Sequence, residues 1–149
     1  MEVARAILDE DFQRSLDTLG RLRRELLEQS TQPDGRVLRR TRCVLDIELP
    51  GAAKAFIGEG DPAWVESAAW SDEEMTWSFT IDPEMAEELL EAGGTIQLSA
   101  NEKGTLRRIE GRIKVGVPFY GGKVEGWIVK GLTDAYHEEA ERLRAWMRS

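Results

Sequence analysis

Apolar and polar residues along this chain change period several times, and each change marks an element. Val3, Ile7, Phe12, Leu16 and Leu19 follow helical spacing, and Asp9, Glu10 and Asp11 stand where a second helix would begin, so the first 19 residues predict two short helices. Leu19, Leu22 and Leu26 extend the helical stripe to about Gln29, ahead of a turn at Pro33-Asp34-Gly35. Beyond it, Val37, Thr41, Cys43, Leu45 and Ile47 alternate with Arg36, Arg40, Arg42, Asp46 and Glu48, which predicts a strand with one wet face. Pro50 and Gly51 end that strand, and Ala52 to Ile57 suit a turn of helix.

Trp64 to Trp70 and Met75 to Ile81 then read as a hairpin, with Met75, Trp77, Phe79 and Ile81 on one side of its second strand. The acidic segment Pro83 to Glu91 and the pair Gly93-Gly94 separate it from a further hairpin, Thr95 to Ala100 and Thr105 to Val117, turning at Asn101 to Gly104. From Gly122 to Met147 the apolar positions Val124, Trp127, Ile128, Leu132, Ala135, Leu143, Trp146 and Met147 describe one amphipathic helix of about seven turns. The order is short helices, antiparallel hairpins and a long last helix, without repeat or linker. It predicts an α+β fold in a single domain spanning residues 1–149.

The end of the chain adds a resemblance. Val115-Gly-Val-Pro-Phe-Tyr-Gly-Gly-Lys123 and the helix that follows it, through Trp146-Met147, are similar to the last part of a family of uncharacterised bacterial START-like proteins. Asp9-Glu10-Asp11-Phe12 is similar to the acidic corner between helices near their start. The resemblance implies the helix-grip plan of the START-like (SRPBCC) superfamily, a curved antiparallel sheet wrapped around a long C-terminal helix. It also implies a strand from about Arg21 to Thr31, against the helical stripe counted there. The plan's first strand would lie upstream of Val3, so it is expected to be missing here. A missing strand leaves a sheet edge that a second copy of the chain could cover.

Charge narrows the partners. The 149 residues carry a net charge of −8, which opposes phosphate backbones and predicts no nucleic-acid partner. The arginines of Arg36 to Arg42 are read as the solvated face of their strand. Cys43 is the only cysteine, so no internal disulfide forms and a reducing cytoplasm is expected. Met1 to Arg5 has no basic, then apolar leader, and no run approaches a membrane span, so neither export nor membrane insertion is predicted.

Motifs for chemistry are few. Gly58-Glu-Gly-Asp-Pro-Ala63 has dinucleotide-loop spacing, but its acids would repel a pyrophosphate. Gly121-Gly122-Lys123 lacks the Ser or Thr that follows a phosphate-loop lysine. With His137 as the one histidine, neither a catalytic triad nor a multi-histidine metal centre can be built. Cys43 lies on the apolar face of its strand, and Asp72-Glu73-Glu74 and Glu87-Glu88 read as solvated turns. No catalytic residue, metal or cofactor is assigned.

The helix-grip plan gives the large apolar residues a use, because a sheet curled around a helix leaves space between them. The expected pocket lining is Trp70, Met75, Trp77, Phe79, Ile113, Tyr120, Trp127, Ile128, Gly131 and Ala135, with Gly111 as a further small residue where space could open. Tyr120, Tyr136 or Arg112 would orient the ligand. The expected function is binding of an apolar or amphipathic molecule, lipid-, sterol- or polyketide-like. The alternatives are a cyclase- or aromatase-type enzyme on the same fold and a partner-binding domain whose cavity is filled. A buried, charge-coupled His137, Tyr120 or Glu110 would favour the enzyme.

Overall fold

A computed structural model describes residues 2–85 and 87–149. Two short helices, α1 (Glu2–Leu8) and α2 (Glu10–Ser15), open the chain. Seven strands follow: β1 (Thr18–Leu19), β2 (Leu22–Thr31), β3 (Val37–Leu45), β4 (Ala63–Ser71), β5 (Thr76–Pro83), β6 (Leu90–Asn101) and β7 (Gly104–Val115). Helix α3 (Gly51–Ile57) interrupts them between β3 and β4, and α4 (Gly121–Trp146) closes the chain. The strands pair in sequence order, all antiparallel, as one sheet curled into a half-barrel beside α4.

The corner between α1 and α2 is built by Asp9, whose carboxylate accepts from the backbone amides of Asp11 (2.9 Å) and Phe12 (3.0 Å). Those amides have no partner within the helix, so the cap stabilises the start of α2 by about 1 kcal/mol. Phe12 and Leu16 then point wholly into the core, where Phe12 stacks at a tilt on Trp146 of α4, ring centres 5.6 Å apart.

Segment 22–31 is a strand, as the resemblance implies and the helical stripe does not. Leu22 and Leu26 face inward, and a bulge between Leu26 and Glu28 shifts the phase so that Leu27 lies exposed and Gln29 turns in. Beyond β1, which reaches only Leu22 and Arg23, β2 has no further strand on its outer side among the described residues.

Gly93 and Gly94 do not precede β6; they lie inside it, paired with Thr80 and Gly111. A Cβ on Gly94 would run into the Glu110 carbonyl oxygen, and one on Gly93 would stand 2.9 Å from that of Phe79. Side chains would hold the strands apart here, so glycine lets the sheet bend sharply enough to curl. The acidic segment Pro83 to Glu91 takes in the end of β5 and the start of β6, with bends and turns at 84–85 and 87–89 between them; Ala86 lies outside the described residues.

Helix α4 packs on β7 at one edge of the curl and on β1 and β2 at the other. Gly131 is part of that seat. A Cβ there would come within 2.9 Å of the Leu45 side chain, so this glycine closes the helix on the sheet and opens no space. Because the helix rests on the edges, the concave middle of the sheet stands away from it.

Candidate functional site

The space so left is a cavity of about 980 Å³, partly open to solvent. Its sheet wall is apolar at Trp64, Trp77, Phe79, Ile96, Ile109 and Ile113. Its helix wall is the stripe Val129, Leu132, Tyr136, Ala140, Leu143 and Met147, with three- and four-residue steps. Leu106, Val129 and Met147 are among the most exposed large apolar residues of the protein, and all three line this cavity.

Of the residues expected to line a pocket, Trp77, Phe79, Ile113 and Ala135 stand in the cavity wall, as does Gly111. Trp70, Met75, Tyr120, Trp127, Ile128 and Gly131 stand elsewhere. Trp70 is fully buried against Trp77, ring centres 5.6 Å apart, and its Nε1 is the one buried side-chain polar atom without a partner among the described residues. Met75 precedes β5, in the turn, with a left-handed φ of 50°. Tyr120 caps the start of α4, while Trp127, Ile128 and Gly131 lie on the stripe that seats the helix in the core. Helix α4 thus has two adjoining apolar stripes that spacing reads as one, with Leu132, Leu143 and Met147 on the cavity side and Val124 and Ile128 in the core. Phe119, also among the large apolar residues, is wholly exposed with φ 64°.

Charge enters the cavity where the alternation predicts apolar residues. Arg24 shares the inward phase of Leu22 and Leu26, Arg39 that of Thr41 and Cys43, Glu66 that of Trp64 and Ala68, and Arg107 that of Ile109. The Arg36–Arg42 run is therefore not all solvated. Arg39 is only 7% exposed and has its guanidinium 4.4 Å from the centre of the Trp77 ring. Its Nε donates to Gln29 Oε1 (2.8 Å) and its Nη2 to the Ile7 carbonyl (2.6 Å), one of the free carbonyls ending α1. Gln29 in turn donates to the Leu8 carbonyl at 2.7 Å. The bulge in β2 brings Gln29 to this position.

Glu139 of α4 joins the two edges of the sheet. It accepts from Arg107 of β7 at 2.7 Å and lies 3.5 Å from Arg24 of β2, and Arg107 also donates to the Tyr136 carbonyl at 3.0 Å. The Glu66 side chain has neither an ion pair nor a hydrogen bond among the described residues. Burial pushes its carboxyl above the ordinary range, with Glu139 adding to the rise and Arg24 and Arg39 opposing it. Burial likewise raises the Tyr136 hydroxyl and lowers Arg39 to about 10, Arg24 adding to that fall. The Cys43 thiol is pushed up to about 12, so it is a core thiol and a poor nucleophile.

His137 lines the cavity from an exposed position, Glu110 is exposed and Tyr120 half-buried. The titratable groups gathered in the cavity are instead Glu139 and Arg39, both buried, with Glu66, Tyr136, Arg24 and Arg107 half-buried around them. Of these, the sequence puts forward only Tyr136, as a polar tip, and reads Arg39 as part of a solvated run. Their signal was present as charged residues in phase with apolar neighbours. Among the described residues no three of His, Cys, Asp and Glu are gathered as metal ligands would be.

An α+β half-barrel closed by a long helix over a partly charged cavity defines a class of fold, and comparison with known proteins agrees. The chain matches a family described as "Protein of unknown function (DUF2505)" over residues 1–147, and it belongs to that family. It is similar in structure to TTHA0849 from Thermus thermophilus, with a TM-score of 0.64 and 17% identity, over 97% of this chain and 86% of that one. At that identity the likeness concerns the fold. No functionally curated protein matches the sequence. No helix of the described residues is long and apolar enough to cross a membrane.

Proposed function

We propose that this chain is a START-like, helix-grip binding protein that holds an apolar or amphipathic small molecule between the sheet and α4. The cavity carries the proposal: its volume of about 980 Å³ reaches the upper part of the range common for small-molecule sites, roughly 300–1,000 Å³. Its aromatic and branched walls favour an apolar body, at about 25 cal/mol for each Å² of apolar surface withdrawn from water. Trp77, Phe79, Ile113 and Ala135 are the expected residues that would contact it. START-like membership is supported by the element order, by the motif at residues 115–147 and by the fold shared with TTHA0849.

Native mass spectrometry of the purified protein, followed by organic extraction, tests the reading. A stoichiometric apolar or amphipathic adduct is the expected result. A bare chain that also fails to take up fluorescent fatty-acid or naphthalene probes would sink it and favour a partner-binding domain, with the uncovered side of β2 as the place where a second copy would pair.

Glu66 favours a second reading, an enzyme of the cyclase or aromatase type. A carboxyl in a largely apolar cavity, raised above its usual range by burial, is a candidate proton donor. Incubating an extracted ligand with wild type and with Glu66→Gln separates the two readings. A product formed only by wild type supports the enzyme, and an unchanged ligand supports the binder.

A further inference from the structure

We infer that the molecule held in this cavity is an anionic amphiphile whose acidic head is received by Arg39, with Arg24 beside it; the inference rests on the binding reading above. The first observation is the distribution of charge. The protein has a net charge of −8, yet the cavity is lined by seven Lys or Arg and only two acids, Glu66 and Glu139. Arg24, Arg39 and Arg107 belong to the sheet wall, and Lys103, Arg112, Arg144 and Arg148 complete the seven. The acids are therefore carried mainly elsewhere, and this cavity is a positive part of an acidic protein. Such a cleft concentrates anions, because its low-dielectric walls focus the field.

The second observation is the state of Arg39. A guanidinium has five N–H donors. Two of its nitrogens are engaged, by Gln29 and the Ile7 carbonyl, and no carboxylate lies within ion-pair distance among the described residues. Bonds to Gln29, bonds to Ile7 and the face of Trp77 hold the group in one orientation. It is thus a fixed fork with donors to spare, lining a cavity and lacking an anion. Burial of an unpaired cation is costly, and an entering carboxylate or phosphate would remove that cost.

The protein's own acids do not supply the missing anion. Glu139 is committed to Arg107 and Arg24. Glu66 is outside ion-pair reach of Arg24, Arg39 and Arg107, and burial favours its neutral form, which leaves this wall positive. Trp77 and Phe79 continue from Arg39 along the apolar side of the cavity, so a head at Arg39 directs the tail over them.

Titration calorimetry with four probes of equal chain length decides the matter: tetradecanoate, tetradecyl phosphate, tetradecanol and tetradecyltrimethylammonium. Both anions are expected to bind wild type at least about tenfold more tightly than the alcohol, the factor that one charge-assisted hydrogen bond supplies. The ranking of the two anions tells a carboxylate head from a phosphate. Arg39→Gln is expected to bring the anions to within about threefold of the alcohol. Arg39→Lys, which keeps the charge but loses the fork, serves if the Gln variant does not fold, and is expected to narrow the gap about threefold. Alcohol or ammonium binding as tightly as the anions would overturn the inference and leave the binding reading standing. A folded Arg39 variant that retains the full anion preference would overturn it too. Failure of all four probes to bind would remove both.

Discussion

Arg107 of β7 donates to Glu139 of α4 at 2.7 Å, and this ion pair helps to fasten the last strand of the sheet to the helix that closes the half-barrel. Glu139 also faces Arg24 on β2, so one carboxylate serves both edges of the curl. All three side chains are between 11% and 14% exposed. Glu139→Ala leaves two enclosed guanidinium groups without their counter-charge and is expected to cost about 3–5 kcal/mol in urea denaturation. Glu139→Gln keeps an acceptor and should cost less. Equal stability of the alanine variant and wild type would show that the edges are held by apolar packing alone.

Glu66 makes stability depend on pH. Its folded carboxyl sits above the ordinary range because of burial, so the native state binds the proton more tightly than the unfolded chain does. Stability is therefore full below the ordinary glutamate range. It declines as pH rises through that range to the raised value, and is level beyond it. Glu66→Gln removes this decline. Thermal unfolding should show the variant more stable than wild type at about pH 8 and equal to it at about pH 4. A difference that does not change with pH would mean that Arg24 and Arg39 cancel the effect of burial.

Cys43 should resist modification in the folded protein. With its thiol pushed up to about 12, the thiolate at pH 8 amounts to about one molecule in ten thousand. Labelling by a disulfide reagent is expected to be negligible in native buffer and complete within minutes in urea. Rapid native labelling would place the thiol in contact with solvent through the cavity.

Two glycine substitutions should act in opposite directions. Gly94→Ala drives a methyl group into the Glu110 carbonyl and is expected to cost about 1–3 kcal/mol or more, with loss of probe binding as the curl opens. Gly126→Ala places the same methyl in open space on α4 and should stabilise by about 0.5–1 kcal/mol. Thermal unfolding of both measures the contrast. A tolerated Gly94→Ala would mean the sheet bends elsewhere.

The antiparallel hairpins, the short helices at the start and the long last helix were all legible, because each depends on periodicity and on turn residues near in sequence. The Asp9 cap and the turn at Pro33-Asp34-Gly35 belong to the same local order. Segment 22–31 was not legible by spacing: Leu19, Leu22 and Leu26 fit a helix, and only the resemblance placed a strand there. Its bulge at Leu27, which brings Gln29 to Arg39, has no local signature.

The pocket lining was legible in part. Trp77, Phe79 and Ile113 follow from strand alternation, since a concave face collects every second residue. Which of two neighbouring stripes of α4 faces the cavity depends on how the helix sits across the sheet edges, and Gly131 against Leu45 decides that. Arg24, Arg39, Glu66 and Arg107 carry an inward phase in the sequence, but alternation ranks positions by hydrophobicity and counts a charge as outward. The sequence alone determined most of the elements, segment 22–31 being read correctly only through the resemblance, and the acidic balance of the chain. Tertiary structure decided the position of the cavity and the grouping of its charges, because these arise where strands far apart in sequence meet one helix.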